Sequence, residues 1–332
     1  MIKIRRKKFA PSKAAKPGEP VGWIPFFCPL CSRKLRAQEQ EYNRIKACPA
    51  CKEQITFPDP SFSLGQLIAD YMVDGWISHG SMGEVYMAHN TKTNQTVALK
   101  LLNSQLSTED GMALFKQEQD LLSYMRHPNI VRENGSGEFH GVQYIAMDYV
   151  DGECVDHILM RYDFLPESMV LAILRQAADA LGYVWDTFGY RHRDIKPGNL
   201  MIDEHGNLTI IDWGMAKQKY FNADQQVLGS PLFMDPVSVR QATGLDQRSD
   251  IYSMGVTCFH MLTGDYPFFA EDVETLIDHV LADPIPDIRE FKEDISENTA
   301  TLIKYMMGKK YHERYQTWAE VLNGVNEVMR SS

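Results

Sequence analysis

Tyr190-Arg191-His192-Arg193-Asp194-Ile195-Lys196-Pro197-Gly198-Asn199-Leu200 decides how the rest of the chain is read. Within six residues it sets a carboxylate (Asp194), an ammonium (Lys196) and a carboxamide (Asn199), with hydrophobic segments on either side. A loop of that composition can hold an acceptor hydroxyl and a metal-bound phosphate side by side. It becomes specific only if partners occur elsewhere in the right order.

Working outward, Asp212-Trp213-Gly214 follows the β-branched run Leu208-Thr209-Ile210-Ile211, 18 residues after Asp194. An acid at the end of such a strand suits a metal that bridges phosphates. Far upstream, Ile77-Ser78-His79-Gly80-Ser81-Met82-Gly83-Glu84-Val85 lies between two expected strands. Gly80 and Gly83 let the backbone approach phosphates and donate N–H groups, although many hairpins carry two glycines. Val97-Ala98-Leu99-Lys100 puts a lysine 17 residues after Gly83. Lys100 is placed to reach phosphates, or to snorkel at a surface. Glu118, in Phe115-Lys116-Gln117-Glu118, offers a carboxylate for Lys100, or a plain solvated helix face.

The chain of 332 residues, 44% hydrophobic and 23% charged, is long enough for a sizeable core and about two domains. No stretch approaches the ~18 consecutive apolar residues of a membrane span. The basic start, Met1-Ile2-Lys3-Ile4-Arg5-Arg6-Lys7-Lys8, lacks the apolar run of a secretory signal, so a cytoplasmic protein is expected. Residues 1–60 hold 13 Lys and Arg against 5 Asp and Glu, a net of +8, which leaves −18 for the remainder. A basic head on an acidic body fits nucleic acid or an anionic surface. A solvated tail is the plainer reading, because no aromatic residue interleaves the first basic cluster.

Residues 1–20 read as a basic disordered arm. Residues 21–60 hold Cys28-Pro29-Leu30-Cys31 and Cys48-Pro49-Ala50-Cys51, with 16 residues between the two pairs. This spacing predicts a structural zinc ribbon of four thiolates, with no open position for chemistry. So short a segment draws much of its folding energy from the metal. Pro58 and Pro60 mark a boundary, and with it independent folding of the ribbon. Ser63 to Asp70, within a linker at 61–70, is expected to be helical.

Strands are predicted over Tyr71–Ser78, Glu84–His89, Thr96–Leu102 and Tyr144–Val150. A helix is predicted over Thr108–Met125, with Met112, Phe115, Leu121, Leu122 and Met125 as its apolar set. Further helices are expected over Pro166–Phe188, Gln247–Thr263, Val273–Leu281, Asn298–Met307 and Thr317–Arg330. Strands first and helices after give an α+β class with two lobes.

The motifs continue through Gly229-Ser230-Pro231, Met234-Asp235-Pro236, Ser249-Asp250-Ile251-Tyr252-Ser253-Met254-Gly255 and His312-Glu313-Arg314-Tyr315. In that order, residues 71–330 resemble a eukaryotic-type (Hanks-type) serine/threonine protein kinase domain of the kind also found in bacteria. The resemblance implies the two-lobed kinase fold, with ATP and Mg2+ as cofactors and protein hydroxyls as substrates. It implies that Asp194 is the catalytic base, that Lys196 contacts the transferred phosphate, and that Asn199 and Asp212 bind magnesium. Lys100 and Glu118 would form an ion pair. Ile77, Gly80, Gly83, Val85 and Ala98 would surround the nucleotide. Met147 would be the gatekeeper, with Asp148 to Val150 as the hinge to adenine. Asp250 would brace the catalytic loop from beneath.

Several positions depart from the family. Ser78 stands where the first glycine of the loop usually sits. Trp213 replaces the usual Phe, its bulk suiting a hydrophobic stack with His192 and Leu122, and its indole N–H needs a partner if buried. Val237 replaces the Glu that normally pairs with the arginine aligned to Arg314, so Arg314 must find another acid or reach water. Met215 to Leu228 contains no Ser or Thr, so activation-loop phosphorylation is not expected, and Asp224 is a candidate anion for Arg193. These departures are the only basis for a rival reading as a pseudokinase scaffold without turnover. A small-molecule kinase of similar fold is opposed by Lys196 and by Gly229-Ser230-Pro231. The zinc ribbon is expected to bind a protein or, as a second choice, nucleic acid.

Overall fold

The computed structural model describes residues 23–331, except 29–32, 39–40, 42–43, 58–60, 63, 80–82, 103–108, 215–230 and 241–243. The arm, Cys31, Pro58, Pro60, Gly80 and the segment holding Asp224 therefore lie outside the described residues. The chain forms two units: residues up to 126 with 131–153, and residues 127–130 with 154–332.

The first unit begins with two antiparallel ribbons, β1 (Trp23–Phe27) with β2 (Lys34–Gln38) and β3 (Ile45–Ala47) with β4 (Gln54–Thr56). Phe26, Leu35, Ala37, Ile55 and Phe57 gather there around Cys28 and Cys48. A six-stranded sheet follows in the order β5-β6-β7-β8-β10-β9. Its strands are β5 (Leu67–Ile68), β6 (Tyr71–His79), β7 (Gly83–Asn90), β8 (Thr96–Leu102), β9 (Glu133–Phe139) and β10 (Val142–Asp148), and α1 spans Glu109–Tyr124. Alternation along β8 buries Val97, Leu99 and Leu101 with Tyr86 and Ala146 on one face of the sheet.

Two expectations are corrected here. Of the stretch Ser63 to Asp70, expected to be helical, the described residues 64–70 are not a helix: Leu67 and Ile68 pair with Met72 and Tyr71 as strand β5, and Gly65 and Ala69 take positive φ of 77° and 51°. Leu64, Leu67 and Ile68 mimic a helical spacing, but a left-handed glycine among them stops a helix from starting. Met112, counted in the apolar stripe of α1, is 40% exposed, whereas Phe115, Glu118, Leu121 and Leu122 form the buried stripe.

Trp76 of β6 packs against the cluster around Cys28 and Cys48 as well as against the core of the sheet.

A short strand, β11 (Gly152–Cys154), leads into α2 (Val155–Tyr162) and α3 (Glu167–Phe188). The second unit continues with β12 (Leu200–Asp203), β13 (Leu208–Ile210), α4 (Pro236–Arg240), α5 (Gln247–Thr263), α6 (Val273–Ala282), α7 (Glu297–Met306) and α8 (Trp318–Ser331). Every described residue of α5 from Ser249 to Leu262 is buried, as expected of a central helix. Asp246 caps it by accepting from the Arg248 amide, and left-handed Gly264 ends it.

Candidate active site

In the first unit, β8 and α1 present the two charges that the sequence singles out. Val85 of β7 lies opposite Lys100 of β8. The Lys100 Nζ donates to both carboxylate oxygens of Glu118, at 2.8 and 2.7 Å. The side chains are 7% and 0% exposed, so neither reading as a surface residue holds. The pair persists because each buried charge meets its opposite in a bidentate contact. Position in the buried stripe of α1 was the signal for Glu118: an acid on an apolar helix face needs a cation.

Ala98 lies opposite Met147, which is nearly buried. The Asp148 carboxylate accepts from the side-chain carboxamide of Asn134 at 2.7 Å. Val150 follows the end of β10 and is partly buried. Ile77 lies on β6 and Gly83 opens β7. Ser78 sits within β6 opposite Val85, in extended backbone that needs no glycine.

In the second unit, the catalytic-loop stretch runs from the left-handed Gly189 that ends α3 to β12. A single 3-10 turn over Pro197–Asn199 folds it back on itself. The Asn199 carboxamide then donates to the Asp194 carbonyl at 2.7 Å and to its carboxylate at 3.0 Å. Lys196 Nζ reaches the same carboxylate oxygen at 2.7 Å. Asp250, at the start of α5, accepts from the amides of His192 and Arg193 at 2.6 and 2.9 Å. Those two bonds hold Arg193 at a positive φ of 69°, a conformation that arginine rarely adopts.

His192 is fully buried and connects the loop to the segment after β13. Its Nδ1 accepts from the Asp194 amide at 3.3 Å, so Nε2 carries the proton and donates to the Ile211 carbonyl at 3.2 Å. The Ile211 amide donates to the Asn199 carbonyl at 3.0 Å, which ties the residue before Asp212 to the catalytic loop. Asp212 also has a positive φ, 59°. Trp213 is buried against His192, with ring centroids 4.6 Å apart, and its indole nitrogen has no partner among the described residues.

Arg193 is likewise incompletely matched. Its Nε and Nη1 are buried without a hydrogen-bond partner among the described residues. Burial, with repulsion from Arg191, lowers its pKa to about 10, although Asp250 pulls the other way.

Arg314 finds its acid two residues before the family position. Its Nη2 donates to Asp235 at 2.6 Å, with both side chains buried. The Asp235 carboxylate also accepts from the amides of Val237 and Ser238, both at 3.1 Å, and so caps α4. The sequence calls for another acid or access to water at Arg314 without naming this one, although it lies within the quoted Met234-Asp235-Pro236. The Cys154 thiol, at the start of α2, donates toward the Pro197 and Gly198 carbonyls at 3.4 and 3.3 Å.

The three described knuckle cysteines converge. The sulfurs of Cys28, Cys48 and Cys51 all lie within 4.8 Å of one another. Cys28 and Cys51 are 3.9 Å apart, well beyond a disulfide and close to the ~3.8 Å edge of a tetrahedron with Zn–S of about 2.3 Å. Burial disfavours the Cys48 thiolate, but the amides of Cys51 and Ala50 and the thiols of Cys28 and Cys51 outweigh it, and its pKa falls to about 7. Soft sulfur donors at this spacing fit zinc.

A strand-rich unit with a buried Lys–Glu pair, followed by a helical unit with a braced Asp-x-Lys-x-x-Asn loop, describes a protein kinase. The protein kinase domain family matches residues 71–325, and the chain belongs to that family. It is 30% identical over 261 residues to serine/threonine-protein kinase PknB of Mycobacterium leprae, covering 76% of this chain and 42% of that protein. PknB of Mycolicibacterium smegmatis is 30% identical over 256 residues, covering 74% of this chain and 40% of that protein. Serine/threonine-protein kinase TIO of Arabidopsis thaliana is 30% identical over 253 residues, covering 76% of this chain and 18% of that protein. The chain thus spans about two fifths of the length of these bacterial relatives. No helix among the described residues is long and apolar enough to cross a membrane.

Proposed function

We propose that this chain is an ATP-dependent serine/threonine protein kinase that phosphorylates protein hydroxyls in the cytoplasm. The observation that carries the proposal is the Asp194 carboxylate, held by Asn199 and Lys196 on a loop that Asp250 braces. A carboxylate fixed in this way is oriented to accept the hydrogen of an incoming hydroxyl. Lys196 then neutralises charge on the phosphoryl group as it transfers, and its presence favours serine and threonine acceptors. The names of the relatives support the same specificity.

Lys100, fixed by Glu118, holds the nucleotide phosphates, with Ile77, Gly80, Gly83, Val85 and Ala98 around the nucleotide and Met147 to Val150 at the adenine. The donor set for magnesium fits. Asn199 uses its amide nitrogen on Asp194, which leaves its carbonyl oxygen for a hard cation, and Asp212 adds a carboxylate. Magnesium held by these two residues would supply charge neutralisation to the phosphates. Zinc, held by Cys28, Cys48, Cys51 and Cys31, would stabilise the ribbon and take no part in the chemistry.

Asp194→Asn should lower phosphoryl transfer by about 10²-fold or more while ATP still binds. Transfer of radiolabelled phosphate to a generic protein substrate measures the first part, and calorimetry the second. Near-full turnover in that variant refutes the assignment. A wild-type chain that binds ATP without turnover is the pseudokinase instead.

A further inference from the structure

Val85 and Lys100 point to one face of the sheet, and Tyr86 and Leu99 to the other. Trp76 lies opposite Tyr86 and shares that second face. At the next step β6 bulges, so that Ile77 and Ser78 together oppose Val85. The hairpin is thus irregular just where it approaches the nucleotide turn.

The ribbon and its exit chain cover the second face at this end. Phe26 of β1 meets Trp76 edge-on, with ring centroids 6.4 Å apart. The Ser61 amide donates to Glu84 at 3.2 Å, and the Phe62 amide donates to the Tyr86 hydroxyl oxygen at 3.1 Å. That hydroxyl donates in turn to Glu84 at 2.8 Å, and the Phe62 ring meets Tyr86 edge-on at 6.0 Å. Glu84 is only 9% exposed. Burial and the Glu84 charge raise the Tyr86 pKa, so its hydroxyl remains a donor. The grip on β6 falls one residue before Ile77, and the grip on β7 one residue after Gly83.

We propose that the ribbon is a clamp on the nucleotide hairpin, with Trp76 and Glu84 as positioning residues for ATP, and that metal in the ribbon raises ATP affinity. This rests on the kinase reading and, for its last part, on the zinc reading. Strands of three to five residues cannot hold Phe26 in place by themselves, so the metal presents Phe26 to Trp76. Ordering the hairpin before ATP arrives removes part of the entropy that binding would otherwise lose.

The test uses the full chain. Zinc content is measured by mass spectrometry, and zinc is removed with a zinc-selective chelator. The dissociation constant and KM for ATP are measured, together with kcat and KM for a peptide substrate. Trp76→Leu and Glu84→Gln should each raise the Kd and KM for ATP by about 5-fold or more, the lower edge of usual coupling, with kcat and peptide KM nearly unchanged. Zinc removal should do the same in wild type and add little to Trp76→Leu. Amide exchange in β6 and β7 should accelerate in each case.

Folded variants whose ATP Kd matches wild type overturn the clamp, as does a loss confined to kcat. Should Trp76→Leu fail to fold, Glu84→Gln, which keeps the side-chain size, decides. A purified chain without zinc refutes the metal reading, and the two variants then judge the clamp alone. A zinc-loaded wild-type chain that binds no ATP removes the reading of the active site, and the clamp with it.

Discussion

Asp235→Ala should destabilise the second unit by about 3–4 kcal/mol. Removing one partner of a buried ion pair typically costs ~3–5 kcal/mol, because the other charge stays buried. Arg314 keeps the carbonyls of Gly308, Arg248 and Lys309, which places the loss toward the lower end of that range. The same carboxylate caps α4, and a lost cap contributes about 1 kcal/mol that overlaps with the first loss. At roughly 2–4 °C per kcal/mol for a domain of this size, Tm should fall by about 6–16 °C. Asp235→Ala/Val237→Glu restores a carboxylate at the position where the family usually carries it, and should recover part of the loss. Calorimetry and urea unfolding of both variants measure the effect. A loss under about 1 kcal/mol in the single variant, or no recovery in the double, refutes the idea that Asp235 took over the role of the missing Glu.

Lys100→Met should abolish turnover and cost about 3 kcal/mol of stability, and adding Glu118→Met should restore stability without activity, since it removes the stranded acid; urea midpoints and initial rates separate the two effects. Burial lowers the pKa of His260, against the pull of the Asp265 carbonyl and of the Asp156 and Asp265 charges. The unfolded chain then binds the extra proton first, so stability contributed by neutral His260 is complete above about 6.5 and falls as pH drops from there toward the depressed folded value. His260→Phe should flatten that slope in urea titrations at pH 7.5, 6.5 and 5.5, and an unchanged slope would exclude His260 as its source. Protein treated with a phosphatase, and verified free of phosphate by mass spectrometry, should keep its initial rate. A sharp drop that reverses only on modification within residues 212–237 would sink that expectation.

Elements with strong internal periodicity were readable. Thr96–Leu102 and Gln247–Thr263 match their expected bounds, because β-branched Thr96 and Val97 open an apolar run after Asn94 in the first and a capping Asp with a terminal Gly brackets the second. Strand β9, Glu133–Phe139, was missed because its Glu-Asn-Gly-Ser-Gly run has no strand propensity of its own and depends on pairing with β10. Helix α2 was missed for a related reason. It is short, and its N-cap Cys154 makes no side-chain capping bond. In the site, Lys100, Asp194 and Asn199 were legible as local motifs. Trp76 and Glu84 were not, because what distinguishes them is contact with Phe26 and Ser61, distant in sequence. Asp235 fell between these cases, since the need for an acid was readable but its location required the fold.

Trp76 belongs to two apolar clusters at once, and this bears on how the protein can be handled. A chain cut at the proline-marked joint, beginning near residue 61, looks like a tidy catalytic fragment. It would present the Trp76 indole, and the sheet face around it, to water. Such a face favours self-association and binding to hydrophobic supports. The fragment should bind a fluorescent apolar dye, elute late from a hydrophobic column and lose soluble yield, whereas the intact chain should do none of these.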